Sequence, residues 1–397
     1  MTGKKRKIAV FTGNRAEYGL QYPILRAIAA DPRLEYFLLA GGAHLQQDFG
    51  GTVAEIAADG FQVHAQVVID VHEDALSGTA RAIGAGILSL SGILDGLRPD
   101  FLVVYADRFE SFAAVIAGTQ MNIPTAHVEG GDYTEGGALD DTVRHAMTKL
   151  AHLHFTTNEC AAERVRRMGE EPWRVFNVGF PALDLVAAGL YATPDEVVAT
   201  LGLDLSRPIV LFCQHSVTTE FERAGEQVSA SLEALTALAR RGYQVVMTYP
   251  NNDAGGRRII DELHRVERAA GPNIQVFKSL GRRNFHGLLN VIGRVGRGAF
   301  AGNSSAGIKE TPAFGCPAVN IGARQQGRLR GANVLDVPYE AEAIAAAIER
   351  CASDDGFRGQ CRTCRNPYGA GNAGPRIAEV LATIPLDLRL LRKKMTY

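Results

Sequence analysis

Short apolar runs, each ending in a polar or glycine-containing loop, alternate along this chain with longer stretches whose apolar residues recur at three- and four-residue spacing. Consecutive apolarity marks strands buried on both faces of a parallel sheet, and the helical spacing between them supplies the crossovers. In the first half the runs Ile8–Thr12, Tyr36–Ala40, Phe101–Tyr105, Thr125–Val128, Leu153–Thr157 and Val175–Val178 predict strands. In the second half Ile209–Cys213, Gln244–Thr248, Ile274–Phe277, Gly298–Ala301 and Ala318–Ile321 do the same. The pattern loosens through Ala187–Thr193, after Gly179-Phe-Pro181-Ala-Leu-Asp184, and then restarts. The expected class is therefore α/β, with two Rossmann-like doubly wound domains, residues 1–184 and 185–374, a cleft between them, and a helical closing segment at 375–397.

Length supports the division, because 397 residues exceed the roughly 250–300 at which a single core stops growing. Charge is balanced, 42 Lys+Arg against 43 Asp+Glu, which argues against nucleic acid as a partner. The basic start Lys4-Lys5-Arg6-Lys7 runs straight into a strand, without the apolar stretch of a signal peptide. No uninterrupted apolar run approaches the ~18 residues of a membrane span. The six scattered cysteines read as cytosolic usage, and Cys361-Arg-Thr-Cys364 is a lone CxxC with no second pair to make a zinc site. A cytoplasmic location is expected. The basic positions Arg389, Arg392, Lys393 and Lys394 read as a solvated helix face.

The densest chemistry lies between Asp107 and Asp141. Phe101–Tyr105 ends at Ala106-Asp107-Arg108, and Thr125–Val128 ends at Glu129-Gly130-Gly131-Asp132, so both acids sit at strand C-termini, where open parallel sheets bind ligands. Leu139-Asp140-Asp141-Thr-Val-Arg144-His145 reads as a helix start with an aspartate as cap, placing Asp141 one turn from His145 and Asp140 one turn from Arg144. Each piece has a plain reading as a cap, a surface pair or a solvated loop acid. The gathering of these acids, His127 and two glycines at one sheet edge favours a site.

In the second half, Ala301-Gly302-Asn303-Ser304-Ser305-Ala306-Gly307-Ile308-Lys309-Glu310 follows a strand and opens a helix, offering free amides and hydroxyls to an anion, with Glu310 beyond them for a ribose. The loop Gln214-His215-Ser216-Val217-Thr218-Thr219 and the loop Pro250-Asn251-Asn252-Asp253-Ala254-Gly255-Gly256 follow strands of the same half. Thr12-Gly13-Asn14-Arg15-Ala16-Glu17-Tyr18-Gly19 has neither the dinucleotide nor the P-loop glycine pattern, which leaves Arg15 as a diphosphate ligand across the cleft.

Taken in order, these strings, with Gly41-Gly42-Ala43-His44-Leu45 and Ala323-Arg324-Gln325-Gln326-Gly327-Arg328, resemble the hydrolysing UDP-N-acetylglucosamine 2-epimerases over nearly the whole chain. The resemblance implies glycosyltransferase-B architecture with the C-terminal helix crossing back to the first domain. It also implies a metal-free reaction without cofactor on a UDP-sugar partner, and a homodimer or homotetramer, for which Ile83–Leu94 is the candidate contact. It implies catalytic Asp107, Glu129 and Asp140, supported by Asp141, His127, His145 and Arg108. Arg15, Glu17, His44, His215, Asn251, Asp253, Ser304, Ser305, Glu310 and Arg324 match its substrate and nucleotide positions, with Phe285 beside the base. Glu17 stands where Asp is common and Lys309 where Arg is common. The chemistry implied is elimination of UDP from UDP-N-acetylglucosamine and syn hydration of the glycal to N-acetylmannosamine. The loop Thr134-Glu135-Gly136-Gly137 instead resembles the branch acting on UDP- or GDP-N,N'-diacetylbacillosamine. Three rivals stand beside this reading: a non-hydrolysing epimerase that keeps UDP attached, a glycosyltransferase with an acceptor pocket, and a nucleotide-sugar sensor without turnover.

Overall fold

Parallel strands buried on both faces dominate this protein, whose computed structural model describes residues 4–45, 53–69, 76–133, 139–251 and 255–397. These fall into two units. The first takes the chain as far as Tyr133, then Leu139–Asp184 and Tyr368–Tyr397; the second takes Leu185–Pro367.

The first unit runs β1 (Arg6–Thr12), α1 (Arg15–Ala30), β2 (Leu34–Gly41), α2 (Val53–Ala58), β3 (Val63–Val67), α3 (Leu76–Leu97) and β4 (Phe101–Tyr105). It continues with α4 (Phe109–Gln120), β5 (Thr125–Val128), α5 (Leu139–Leu150), β6 (Leu153–Thr156), α6 (Glu159–Arg167) and β7 (Val175–Asn177). Among the described residues these strands make one seven-stranded parallel sheet in the order β3-β2-β1-β4-β5-β6-β7. Every residue of β4, β5 and β6 is buried, as continuous apolarity requires. The order reverses between β1 and β4, and the crevice of a doubly wound sheet opens at the carboxyl ends of such a pair.

A short helix, α7 (Leu183–Ala187), leads to the second unit, which runs α8 (Pro194–Leu201), β8 (Ile209–Cys213), α9 (Ala224–Arg240), β9 (Gln244–Thr248), α10 (Gly256–Ala270) and β10 (Ile274–Phe277). Then follow α11 (Gly281–Asn290), β11 (Gly298–Gly302), α12 (Ala306–Lys309), β12 (Ala318–Ile321), β13 (Val334–Val337), α13 (Ala341–Ser353) and α14 (Asp355–Thr363). Its parallel sheet has the order β10-β9-β8-β11-β12-β13, with the reversal between β8 and β11.

The chain then returns to the first unit through α15 (Ala373–Thr383) and α16 (Leu388–Leu391). Ile377, Ala378 and Leu381 of α15 are buried in one cluster with Ile24, Leu25 and Ile28 of α1. The Asp184 carboxylate accepts the first amides of α15, Ala373 N at 2.8 Å and Gly374 N at 2.7 Å, and Arg6 donates to the carbonyls of Leu381 and Ile384 at its other end.

Two strands escape the apolar-run criterion. β3 and β13 lie at sheet edges and set exposed polar positions, His64 and Gln66 in one and Asp336 in the other, among mostly half-buried apolar ones, so neither shows a continuous run. A search for uninterrupted apolar residues also passes over α3, whose Ser77–Leu97 is long and apolar enough by length and composition to cross a membrane. One face of it, with Ala82, Leu90 and Leu94, is buried with Ala113, Ala114 and Ala117 of α4, while Leu88 is 77% exposed.

Replacing the fully buried Leu381 by Ala is expected to cost about 2–5 kcal/mol of stability in urea unfolding. A loss below ~1 kcal/mol would show that α15 is not part of this core.

Candidate active site

At the crevice edge of the first sheet two residues carrying a Cβ hold positive φ. Ala106, just after β4, has φ 54°, and Glu129, just after β5, has φ 67°. Such backbone costs roughly 1–3 kcal/mol and persists only where its surroundings fix it. Here they do. Ala106 N donates to Val128 O at 2.9 Å, Glu129 N donates to Phe155 O at 2.8 Å, and His127 Nε2 donates to Ala106 O at 2.7 Å. A carbonyl can only accept, so Nε2 carries the ring proton. Nδ1 lies 3.1 Å from the Thr148 hydroxyl, which is also 3.0 Å from Arg144 O. Burial depresses the His127 pKa to about 3, so the ring is neutral at physiological pH and serves to hold the turn that presents Asp107.

The side chain organising the acids is Arg144, 2% exposed. Its guanidinium donates to Asp107, to Asp141 Oδ1 at 2.6 Å and to Asp132 O at 2.9 Å. This corrects the reading of α5: the helix begins at Leu139, so Asp140 and Asp141 lie inside its first turn and neither is its cap. The pair on its surface is Asp141–Arg144, three residues apart. The Asp140 side chain lies outside the described residues, as does Asp253. His145, beside Arg144, is held below its ordinary pKa by burial and then by Arg144 and Arg164.

The glycines after Glu129 serve packing within the unit. A Cβ on Gly130 would press on His127 and Thr148, and one on Gly131, at φ 75°, would strike Ala161 O and Val165 of α6. Asp132 next to them accepts from Thr157 Oγ1 at 2.9 Å and Asn158 Nδ2 at 3.1 Å.

Beneath the β1–α1 turn Glu17 points inward. It accepts from Gly13 N at 2.6 Å and from the Ser111 hydroxyl, and burial raises its pKa to about 8, with Glu110 nearby adding to the rise. His44 meets the Thr12 hydroxyl at 3.1 Å, and burial lowers its pKa to about 4. Arg108 Nε lies 3.7 Å from Glu110, whereas Asp107 is held by Arg144. Arg15 is exposed and paired with Glu55 at 2.8 Å.

In the second unit the reversal point is organised by Asn303, which is fully buried. Its carboxamide accepts from His215 N at 2.6 Å and donates to His215 O at 2.8 Å. Its own carbonyl accepts from Arg324 at 3.1 Å and Gln325 at 2.8 Å. His215 Nδ1 in turn accepts from Asn251 N at 3.0 Å. Gly302 beside it has φ 134°, and a Cβ there would collide with the Cys213 carbonyl of β8, so this glycine answers strand packing. Ser304 and Ser305 start the single α-helical turn of α12, half-buried. Glu310, at its end, is hydrogen-bonded to His286 Nε2 at 2.6 Å. Phe285 is partly buried against Phe300.

The family profile described as UDP-N-acetylglucosamine 2-epimerase matches residues 26–382. The chain belongs to the UDP-N-acetylglucosamine 2-epimerase family. The hydrolysing UDP-N,N'-diacetylbacillosamine 2-epimerase of Legionella pneumophila is 32% identical over 99% of this chain and 100% of its own. The UDP-N-acetylglucosamine 2-epimerase of Neisseria meningitidis is 31% identical over 89% of this chain and 91% of its own. A crystal structure of UDP-GlcNAc 2-epimerase from Neisseria meningitidis bound to UDP-GlcNAc superposes with a TM-score of 0.78 at 18% identity, covering 94% of this chain and 99% of that one, and speaks to the fold.

This member of the epimerase family is an enzyme, and its acids gather at the carboxyl ends of β4 and β5 and in the first turn of α5. Two organising residues were missed as site residues from sequence. Arg144 was visible in the helical spacing but was paired with Asp140, and Asn303 stood unremarked beside two serines.

Removal of the guanidinium in Arg144→Met leaves Asp141 buried without its counter-charge, with an expected cost of about 3–5 kcal/mol in urea unfolding. Arg144→Lys keeps the charge without the fork and is expected to recover only part. Near-wild-type stability of the Met variant would refute the bridge. Glu17 gives a pH test. Its folded pKa of about 8 lies above its ordinary 4.5, so its contribution is fully present below pH 4.5 and is lost as pH rises through 8. Thermal melts of Glu17→Gln against wild type from pH 5 to 9 are expected to move steadily in the variant's favour, and a constant gap would exclude a raised Glu17.

Proposed function

We propose that the protein is a hydrolysing 2-epimerase of UDP-linked N,N'-diacetylbacillosamine, a 2,4-diacetamido-2,4,6-trideoxy sugar, releasing UDP and the free C2 epimer. The substrate choice takes support from the Legionella relative that matches end to end and from Thr134-Glu135-Gly136-Gly137, which lies outside the described residues. It therefore replaces UDP-N-acetylglucosamine as the leading expectation.

The observation that carries the chemistry is the set of carboxylates at the ends of β4 and β5 and in the first turn of α5, with one guanidinium among them. The C2 proton of such a sugar is weakly acidic, so the C1–O bond breaks ahead of proton loss. Its electron pair leaves with UDP, and positive charge develops at C1 and the ring oxygen. Fixed carboxylates stabilise that charge without reorganisation. One of Asp107, Glu129, Asp140 and Asp141 then takes the C2 proton, giving the 1,2-unsaturated glycal. Water then adds its hydroxyl at C1 and a proton enters C2 on that same face, opposite to the face from which the first proton left, inverting C2. In this reading Arg15, His215, Ser304 and Ser305 take the diphosphate, while Glu310, held at one oxygen by His286, takes the ribose hydroxyls with the other. Asn251, Asp253, Arg324, His44 and Phe285 complete the substrate set, and a homo-oligomer with no nucleic-acid partner is the expected state.

Proton NMR in deuterated water follows both UDP release and the sugar. The expected product carries deuterium at C2, with kcat/KM at least tenfold higher than on UDP-N-acetylglucosamine. A tenfold preference for the latter would return the assignment to N-acetylmannosamine formation, and a product still bearing UDP would make the enzyme non-hydrolysing. Glu129→Gln is expected to lose turnover by at least 1,000-fold while UDP still binds. Near-normal turnover would remove Glu129 from the chemistry.

A further inference from the structure

In the basic segment after α15, Arg389, Arg392 and Lys394 are exposed, as its composition suggests, whereas Lys393 is half-buried. Asp387 caps α16 through Leu390 N at 3.0 Å. The fully buried Arg174 then clasps the segment, donating to the carbonyls of Leu390 at 2.7 Å, Arg389 at 2.6 Å and Arg392 at 3.2 Å, and to His152 O just before β6 at 3.2 Å. Arg174 and Arg389 each pack on the Trp173 ring.

This clasp delivers Lys393 to the C-terminal end of α5. Its ammonium donates to Lys149 O at 2.7 Å and Ala151 O at 2.6 Å, lies 3.4 Å from Thr148 O, and pairs with Glu170 at 2.7 Å. The last carbonyls of a helix have no partner within it and mark the negative end of its dipole. An ammonium there both satisfies them and fixes where the helix stops. Thr148, one of the residues gripped, is also the residue whose hydroxyl meets His127 Nδ1 and Arg144 O. His127 holds the Ala106 turn, and Arg144 holds Asp107 and Asp141.

We propose that Lys393 is a positioning residue for the acid cluster, setting the seat of α5 on the sheet through its end carbonyls and so fixing how Asp107 and Asp141 are presented. It touches no reacting atom, and its bearing on turnover rests on those acids being catalytic, as proposed above.

The charged and titratable groups facing it are Glu170, Lys149, Arg174, His152, His154 and His127. Burial lowers its pKa to about 8, Glu170 opposes that shift, and Lys149 and Arg174 add to it. The ammonium form, present below pH 8, is the one whose three charged donors can serve the Lys149 and Ala151 carbonyls and Glu170 together. The grip therefore weakens as pH rises through about 8.

The test is steady-state turnover from pH 6.5 to 9 for wild type, Lys393→Met and Lys393→Arg. Wild type is expected to lose kcat above about pH 8. Lys393→Met is expected to show about tenfold lower kcat at pH 7 with KM within twofold and no alkaline limb, and Lys393→Arg to keep kcat within threefold up to pH 9. Unchanged kcat in the Met variant, or a KM that rises in step with the loss, overturns the proposal. A second readout needs neither substrate nor variant. In labelled-histidine NMR of the wild type, the ring signals of His145, beside Arg144 on α5, are expected to move with a midpoint near pH 8, and flat signals overturn the proposal. If wild type hydrolyses no nucleotide sugar, the functional reading fails, and the His145 titration still decides the role of Lys393.

Discussion

One guanidinium holds the chemistry of the first unit together. Arg144 meets the carboxylate after β4, a carboxylate in the first turn of α5 and a main-chain carbonyl after β5, so three elements arriving separately at the sheet edge share a single planar fork. Without it, acids set close together in a poorly solvated crevice would repel one another, and nothing would select one orientation of α5 over its neighbours. The fork fixes both distance and angle, which a flexible ammonium would not.

The second unit solves the same problem without charge. Where its sheet reverses, Asn303 grips both the N–H and the C=O of His215, and its own carbonyl anchors Arg324 and Gln325. In the first unit His127 plays the matching part by bonding to Ala106 O. At the reversal point of the second sheet, and between β4 and β5 beside that of the first, a buried polar side chain fixes the backbone of the neighbouring loop, and the ionisable residues are carried on loops already held.

Strand number and order of appearance were largely legible, because burial on both faces writes itself into consecutive apolar residues. The edge strands β3 and β13 were not, since one solvated face breaks the run. Placement of Asp107 and Glu129 at strand ends followed from the same runs. Contacts did not follow, because spacing along one helix does not reveal them: the Arg144 fork takes Asp141 of its own helix together with Asp107 and the Asp132 carbonyl, both distant from it in sequence. Glu17 was matched to a substrate position by resemblance alone, and its contacts beneath the β1–α1 turn, where it accepts from Gly13 N, were not legible. Arg389, Arg392 and Lys394 are exposed, as composition suggests, but the burial of Lys393 was not legible, because most of its partners are main-chain carbonyls, which composition does not reveal.

The return of α15 to the first unit has a consequence for how the molecule is made. Ile377, Ala378 and Leu381 complete a cluster begun by Ile8 and Val10, so the core of the first unit stays open until α15 has been made. The second unit, contained in Leu185–Pro367, has all its strands available earlier. Domains usually finish in the order of synthesis, but here the unit that starts first closes last, and its exposed α1 face is a stretch of apolar surface that a nascent chain must keep from other partners throughout translation.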